Sequence, residues 1–145
     1  MLRALILSAL CAILAVPASG QSVRVTDGDT IVLSGQAIRL SGFDAPEAGQ
    51  PCDDGTPCGA IATAALERLV ALGDLQCVPD GTTTHNRIVA ICRVSDQIEL
   101  GSWMVANGYA VDDARYAPDY SYEMAMARNA QAGLWPHGLQ SGRAH

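Results

Sequence analysis

The chain contains no lysine: its nine basic residues are all arginines, set against fifteen acids for a formal charge of −6. That balance excludes a broad basic surface, the usual footprint of a protein that grips a polyanion non-specifically. Charged residues are also scarce, at 17%, while apolar ones reach 49%, which excludes a wholly disordered chain. Repeats, low-complexity tracts and linkers are missing too, and 145 residues leave room for one ordinary domain and little more. The one long apolar run, Leu5–Val16, falls short of the roughly 20 residues that cross a bilayer. No cysteine pair has the two-to-four-residue spacing of a metal knuckle, and His85, His137 and His145 stand apart from the cysteines. A structural zinc site is therefore a poor reading.

What is present begins with a targeting pattern. Arg3 supplies a short basic start, the run Leu5–Val16 is interrupted only by Ser8, and Pro17, Ala18, Ser19 and Gly20 follow. This order predicts a secretory signal over residues 1–20, with cleavage near Gln21, and a domain over residues 21–145. The protein is then expected outside the cytoplasm, secreted or periplasmic, with no stable membrane association after cleavage. Without Arg3, eight arginines face fifteen acids, a net of −7. Loss of Cys11 leaves Cys52, Cys58, Cys77 and Cys92. Four cysteines in an oxidising compartment read as two disulfides, for which three connectivities are open.

Hydrophobic patterning divides the rest. Ser22–Thr26 alternates, Thr30–Leu33 is β-branched, and Ala37–Phe43 carries Ile38 and Leu40 on one face, with short turns between them. Gln50–Gly59, with two prolines and two cysteines, reads as a loop. Ala60–Leu72 predicts a helix with Ile61, Ala65, Leu66 and Leu69 on one side, ending at Gly73. Strands at Leu75–Val78 and Arg87–Val94 follow, joined by a polar loop over Pro79–Asn86. Helices are predicted at about 99–107 and 120–131. Clustered strands without regular helix alternation disfavour a doubly wound parallel sheet and favour a small antiparallel barrel with helices at its rim. In that arrangement Cys52–Cys58 closes a local loop, and Cys77–Cys92 joins two strands of one hairpin, within disulfide reach.

Chemistry concentrates at the corners of the meander. Asp29 opens the second strand and Asp44 follows the third, so two carboxylates meet at neighbouring corners. With a backbone carbonyl and water they make a hard-oxygen site for Ca²⁺ or Mg²⁺. Glu47 stands one turn further on, within reach of a bound water. Arg39 and Arg87 beside such a site are what phosphoryl chemistry requires: bidentate phosphate contacts and neutralisation of developing charge.

The ordered set Val25-Thr26-Asp27-Gly28-Asp29-Thr30, Ile38-Arg39-Leu40, Asp44-Ala45-Pro46-Glu47, Arg87 ahead of Val89-Ala90, Gly108-Tyr109-Ala110 and Gly133-Leu134-Trp135 resembles the staphylococcal nuclease (thermonuclease) family, in order and over about residues 22–136. The resemblance implies a mainly β, five-stranded OB-fold barrel with three α-helices and Ca²⁺-dependent hydrolysis of DNA and RNA to 3′-phosphate ends. It implies Asp29, Asp44 and the Ala45 carbonyl as Ca²⁺ ligands, Glu47 as the group that orients or deprotonates water, and Arg39 and Arg87 on the scissile phosphate. Tyr116 is the one tyrosine that matches the nucleotide pocket, and the expected partner is single-stranded DNA or RNA bound by a monomer. The run Thr83-Thr84-His85-Asn86-Arg87 departs from the family's habit of an acid, an aromatic and a glycine before the second arginine, and His85 reads as an exposed loop residue. The competing reading is a secreted OB-fold module that binds an oligonucleotide or another ligand without catalysis, as such barrels often do.

Overall fold

The computed structural model describes residues 20–140. The predicted signal over residues 1–20 lies outside the described residues, apart from Gly20. Strands β1 (Val23–Asp27), β2 (Thr30–Leu33) and β3 (Gln36–Leu40) form the expected antiparallel meander. Helix α1 (Cys58–Val70) follows, then strands β5 (Leu75–Thr84) and β6 (Arg87–Val94). The short strands β4 (Phe43–Asp44), β7 (Ile98–Glu99) and β8 (Val111–Asp112), helices α2 (Leu100–Ala106) and α3 (Ser121–Asn129), and a 3-10 turn at Trp135–His137 complete the chain. The expected mainly β, OB-like fold with three helices is what the protein adopts.

Three expectations about the strands need correction. The main sheet runs β1-β2-β3-β6-β5, and β3 pairs with β6 in parallel, through Ile38↔Ile88, Arg39↔Val89 and Leu40↔Ala90, so the sheet is mixed and not antiparallel throughout. The stretch expected as a loop over Pro79–Asn86 is mostly strand: β5 continues to Thr84, with an irregularity in the ladder between Pro79 and Thr83. At the end of the sheet path, β5 tolerates a proline because its missing N–H breaks no inner ladder. The third strand also breaks, at Ser41-Gly42, and resumes as β4, which pairs with β8 through Asp44↔Val111.

The core lies between the sheet and the helices. Ile31, Leu40 and Phe43 from the strands meet Leu66 of α1 and Leu100 and Met104 of α2, all essentially inaccessible. Each such side chain contributes about 1.5–3 kcal/mol by leaving water. On α1 the buried stripe is Cys58, Ala62, Ala65, Leu66 and Leu69, a three-to-four-residue spacing, with Ile61 at its margin. Helix α2 closes on Gly108 at φ +74, where Tyr109 N–H reaches the Met104 carbonyl at 2.9 Å, a left-handed cap that a side chain would strain. Helix α3 stops at Asn129, two residues short of the end expected for it, and both Gln131 (φ +51) and Gly133 (φ +56) are left-handed in the turn that follows.

Disulfides Cys52–Cys58 and Cys77–Cys92 are both formed, as expected. The first ties the loop after β4 to the start of α1. The second crosses β5 and β6 directly, since Cys77 and Cys92 are register partners.

Candidate active site

The first corner is the turn Asp27-Gly28-Asp29-Thr30. The Asp27 carboxylate accepts the Asp29 N–H at 3.3 Å, a side-chain-closed turn that sends Asp29 inward. Gly28 is required by packing: a Cβ there would stand 2.6 Å from the Ala45 Cβ and 3.0 Å from that of Ala62. Its absence lets the turn lie directly against the second corner. There Asp44 ends β4, and the Ala45 N–H donates to Asp29 Oδ2 at 3.0 Å. The Leu40 N–H donates to the Asp29 carbonyl at 2.9 Å, and Thr30 and Arg39 are register partners, so both corners and Arg39 share one end of the sheet.

Arg39 is 6% exposed and both of its terminal guanidinium nitrogens are engaged by protein oxygens. Nη1 donates to the Leu40 carbonyl at 2.6 Å; Nη2 donates to the Phe43 carbonyl at 2.9 Å and meets Asp44 Oδ1 at 3.1 Å and Asp29 Oδ2 at 3.2 Å. One nitrogen thus bridges the two buried carboxylates. Arg87 reaches the same group from the β5–β6 hairpin. Its Nε donates to the Thr84 carbonyl at 3.4 Å and its Nη1 to Thr30 Oγ1 at 3.1 Å, while the Thr30 hydroxyl donates to Asp29 Oδ1 at 3.0 Å. Thr30 therefore links Arg87 to Asp29. The hairpin itself turns on His85 and Asn86, both left-handed at φ +46 and +61, between the paired Thr84 and Arg87.

Glu47 sits on the loop after the second corner. Its N–H donates to Gln50 Oε1 at 3.1 Å and its carbonyl accepts the Gln50 N–H at 2.8 Å. Asp29, Arg39, Asp44, Glu47, Thr84, His85 and Arg87 line a single cleft of about 210 Å³. A smaller neighbouring cavity of about 120 Å³ shares Arg39 and Thr84 and adds Tyr116, which is 44% exposed. The five side chains expected to act together are therefore gathered in one place, and Tyr116 is next door. Ala45 is buried beside them, holding Asp29 through its N–H. Thr30 and His85 were not expected there: Thr30 reads as an ordinary β-branched strand residue, and the signal for His85 was its place two residues before Arg87.

Electrostatics of the cleft favour a cation. Burial pushes the Asp29 carboxyl well above the ordinary carboxylate range, opposed by Arg39 and reinforced by Asp27 and Asp44. Glu47 is pushed up too, first by burial and then by Asp27 and Asp44. With every acid ionised, three carboxylates would face two guanidiniums; burial and this excess negative charge together hold Asp29 and Glu47 up, and a bound cation would relieve the excess. Among the described residues no three His, Cys, Asp or Glu side chains gather closely enough to hold a metal by themselves. Two carboxylates completed by backbone oxygen and water suit a hard, flexible cation such as Ca²⁺, and would not suit zinc.

A family model described as staphylococcal nuclease homologue matches residues 37–137. The chain belongs to the staphylococcal nuclease family. The match begins after Asp29, so that residue joins the site on the geometry just given. The chain is also 33% identical over 125 residues to the succinoglycan biosynthesis protein ExoI of Rhizobium meliloti (strain 1021), covering 82% of this chain and 65% of that protein. Family membership points to nuclease-like or oligonucleotide-binding function. The two disulfides are compatible with an extracellular or periplasmic setting. Among the described residues no helix is long and apolar enough to cross a membrane.

Proposed function

We propose that the protein is an exported, Ca²⁺-dependent phosphodiesterase that hydrolyses single-stranded DNA or RNA and leaves 3′-phosphate ends. The observation that carries this reading is the convergence of Asp29, Asp44, Glu47, Arg39 and Arg87 on one cleft. Asp29 and Asp44, with the Ala45 backbone carbonyl, are the residues that would hold Ca²⁺. When bound, the cation supplies positive charge against the reacting phosphate. Glu47 takes the proton of the attacking water. A raised pKa suits that task, since a base works best with a proton affinity near the operating pH. Arg87 spends Nε and Nη1 on Thr84 and Thr30, leaving Nη2 for a phosphate oxygen. Arg39 first holds the two aspartates in place and meets phosphate with its remaining N–H groups. Tyr116, on the adjoining cavity, offers a face for a base, worth about 1–3 kcal/mol per stacked base.

The commitment of Arg39 to four protein oxygens is also what a binding module without catalysis would show. One experiment separates the two readings: incubation with heat-denatured DNA and with RNA, in Ca²⁺ and in excess chelator. Digestion that needs Ca²⁺ supports the enzyme. Binding without digestion supports the module, and digestion unaffected by chelator removes Ca²⁺ from the reading.

A further inference from the structure

Hydrolysis of a phosphodiester moves two protons. One leaves the attacking water; the other must reach the departing alkoxide, a poor leaving group without it. The reading above assigns Glu47 to the first and nothing to the second. Of the groups lining the cleft, Arg39 and Arg87 cannot serve, since a guanidinium does not release its proton in proteins. Asp29 and Asp44 are occupied with Arg39 and with the charge of the site. The Thr84 hydroxyl holds its own proton far too tightly. His85 is what remains. Imidazole is the side chain most often used to pass a proton in the neutral range.

Its setting fits that task. His85 Nδ1 is bonded to Thr84 Oγ1 at 3.0 Å, which leaves Nε2 as the ring nitrogen for the cleft. The ring sits at the tip of the hairpin whose next paired residue is Arg87, and both His85 and Asn86 are held left-handed by that two-residue turn. Such a turn accepts asparagine or glycine at lower cost, so histidine is not there for the turn's sake. We propose that His85 is the general acid of this site. The step rests on the nuclease reading and balances as follows. The water oxygen bonds to phosphorus as Glu47 takes its proton. The bond from phosphorus to the 5′ oxygen breaks with its electron pair going to oxygen. Protonated His85 passes the Nε2 proton to that oxygen, leaving a 5′-hydroxyl and a neutral ring; the ring then regains a proton from solvent and Glu47 releases its own.

The test compares leaving groups. His85→Asn removes the imidazole yet tolerates the left-handed backbone; His85→Gln keeps an N–H near the Nε2 position but has no proton to give. Each is assayed with Ca²⁺ on single-stranded DNA and on the p-nitrophenyl ester of a 3′-nucleotide, whose nitrophenolate departs unprotonated. Both variants should lose about 10²–10⁴-fold in turnover on DNA and less than about tenfold on the ester, while oligonucleotide affinity stays within about threefold of wild type. Glu47→Gln, by contrast, should lose turnover on both substrates. Wild-type turnover of DNA by His85→Gln would overturn the proposal and leave His85 a hydrogen-bond donor to phosphate. Equal losses on DNA and ester would also overturn it, since the ring would then act before bond cleavage. Failure of the wild-type protein to cleave either substrate would instead refute the nuclease reading itself.

Discussion

Replacing Arg39 by methionine removes the cation between two buried carboxylates and tests the centre of the site. Counting side-chain atoms alone, the wild-type groups are shielded: the Arg39 side chain is 8% exposed, that of Asp29 9% and that of Asp44 6%. Breaking a buried pair by removing one partner costs about 3–5 kcal/mol, because an uncompensated charge stays behind. Two carboxylates are left here, and the Leu40 and Phe43 carbonyls lose their donors as well. Asp29, already held well above the ordinary carboxylate range, takes up a proton and relieves one of the two charges, so the range as a whole applies, a large part of the roughly 5–15 kcal/mol that holds a domain together. With a urea m-value of about 2 kcal/mol/M, the unfolding midpoint falls by about 2 M in chelator. Calcium should narrow the gap, since a ligand at a hundred times its dissociation constant stabilises the native state by about 2.7 kcal/mol. The variant, with two unbridged carboxylates, should gain more from Ca²⁺ than wild type does. Adding Asp29→Asn and Asp44→Asn to Arg39→Met should recover stability in chelator by removing the stranded charges. The assay is urea unfolding followed by tryptophan fluorescence, in chelator and in saturating Ca²⁺. A loss below about 1 kcal/mol in chelator would refute the buried-charge reasoning. An unchanged gap in Ca²⁺ would refute the placement of the cation at Asp29 and Asp44.

Glu47→Gln and Arg87→Ala should each lower turnover by about 10²–10³-fold with little change in Ca²⁺ affinity; a parallel loss of Ca²⁺ binding by calorimetry would contradict their roles. Replacing Cys77 and Cys92 by serine opens a loop with a sequence separation of 15 and should cost about 3 kcal/mol in the chain-entropy model, read as a fall in Tm. The Asp54 carboxyl is held down to about 2, chiefly by hydrogen bonds from His137 and Thr56, so its contribution is present above the ordinary carboxylate range and lost only as pH falls through about 2. NMR titration of His137→Ala should show that midpoint moving up toward the ordinary value, and an unmoved midpoint would discard the contact. Oligonucleotide affinity of Glu47→Gln at fixed Ca²⁺ should vary with salt at a slope of about −1.4 to −2.1, the mark of two or three phosphate contacts. A slope steeper than about −4 would reveal a basic track elsewhere on the surface.

The corners of the meander could be read in the sequence because local rules govern them. Asp27-Gly28-Asp29 is turn chemistry between two β-patterned runs, and short connections bring Asp29, Arg39 and Asp44 to one end of a sheet whatever the rest does. The Cys77–Cys92 bridge followed from the same logic, two strands of one hairpin facing each other. Strand partners distant in sequence obey no such rule. Nothing in Ile38-Arg39-Leu40 or Ile88-Val89-Ala90 says that these runs pair in parallel; only the assembled core decides it. The stretch Pro79–Thr84 misled for a different reason. Its proline, glycine and threonines carry the composition of a loop, but pairing with β6 on one side suffices to make it a strand at the end of the sheet. His85 was correctly read as exposed. What the pattern did not contain was that its turn hangs over the cleft, which depends on where β5 and β6 dock. Thr30 was hidden likewise: its hydroxyl accepts a hydrogen bond from Arg87, fifty-seven residues away.

The acidic charge of the chain takes on meaning once the arginines are located. Arg39 is spent on Asp29 and Asp44, Arg93 lies 3.6 Å from Glu99, and Arg115 is forked onto Asp113. Arg128 lies over the Trp135 ring. Among the described residues, Arg87 is thus the cleft arginine least committed to protein partners, in a chain that repels polyanions at long range. The cleft has one more carboxylate than guanidinium, and the proposed His85 imidazolium does no more than cancel it, so without a cation the cleft offers a phosphodiester no net attraction. A divalent ion held by Asp29 and Asp44 would turn that local balance positive while leaving the surface acidic. Phosphate would then be admitted at one point and only in the cation-loaded state. On the proposed reading, the missing lysines and the calcium requirement are one property. A basic surface would hold nucleic acid whether or not the site were competent, whereas on that reading this surface leaves attraction to the residues of the cleft.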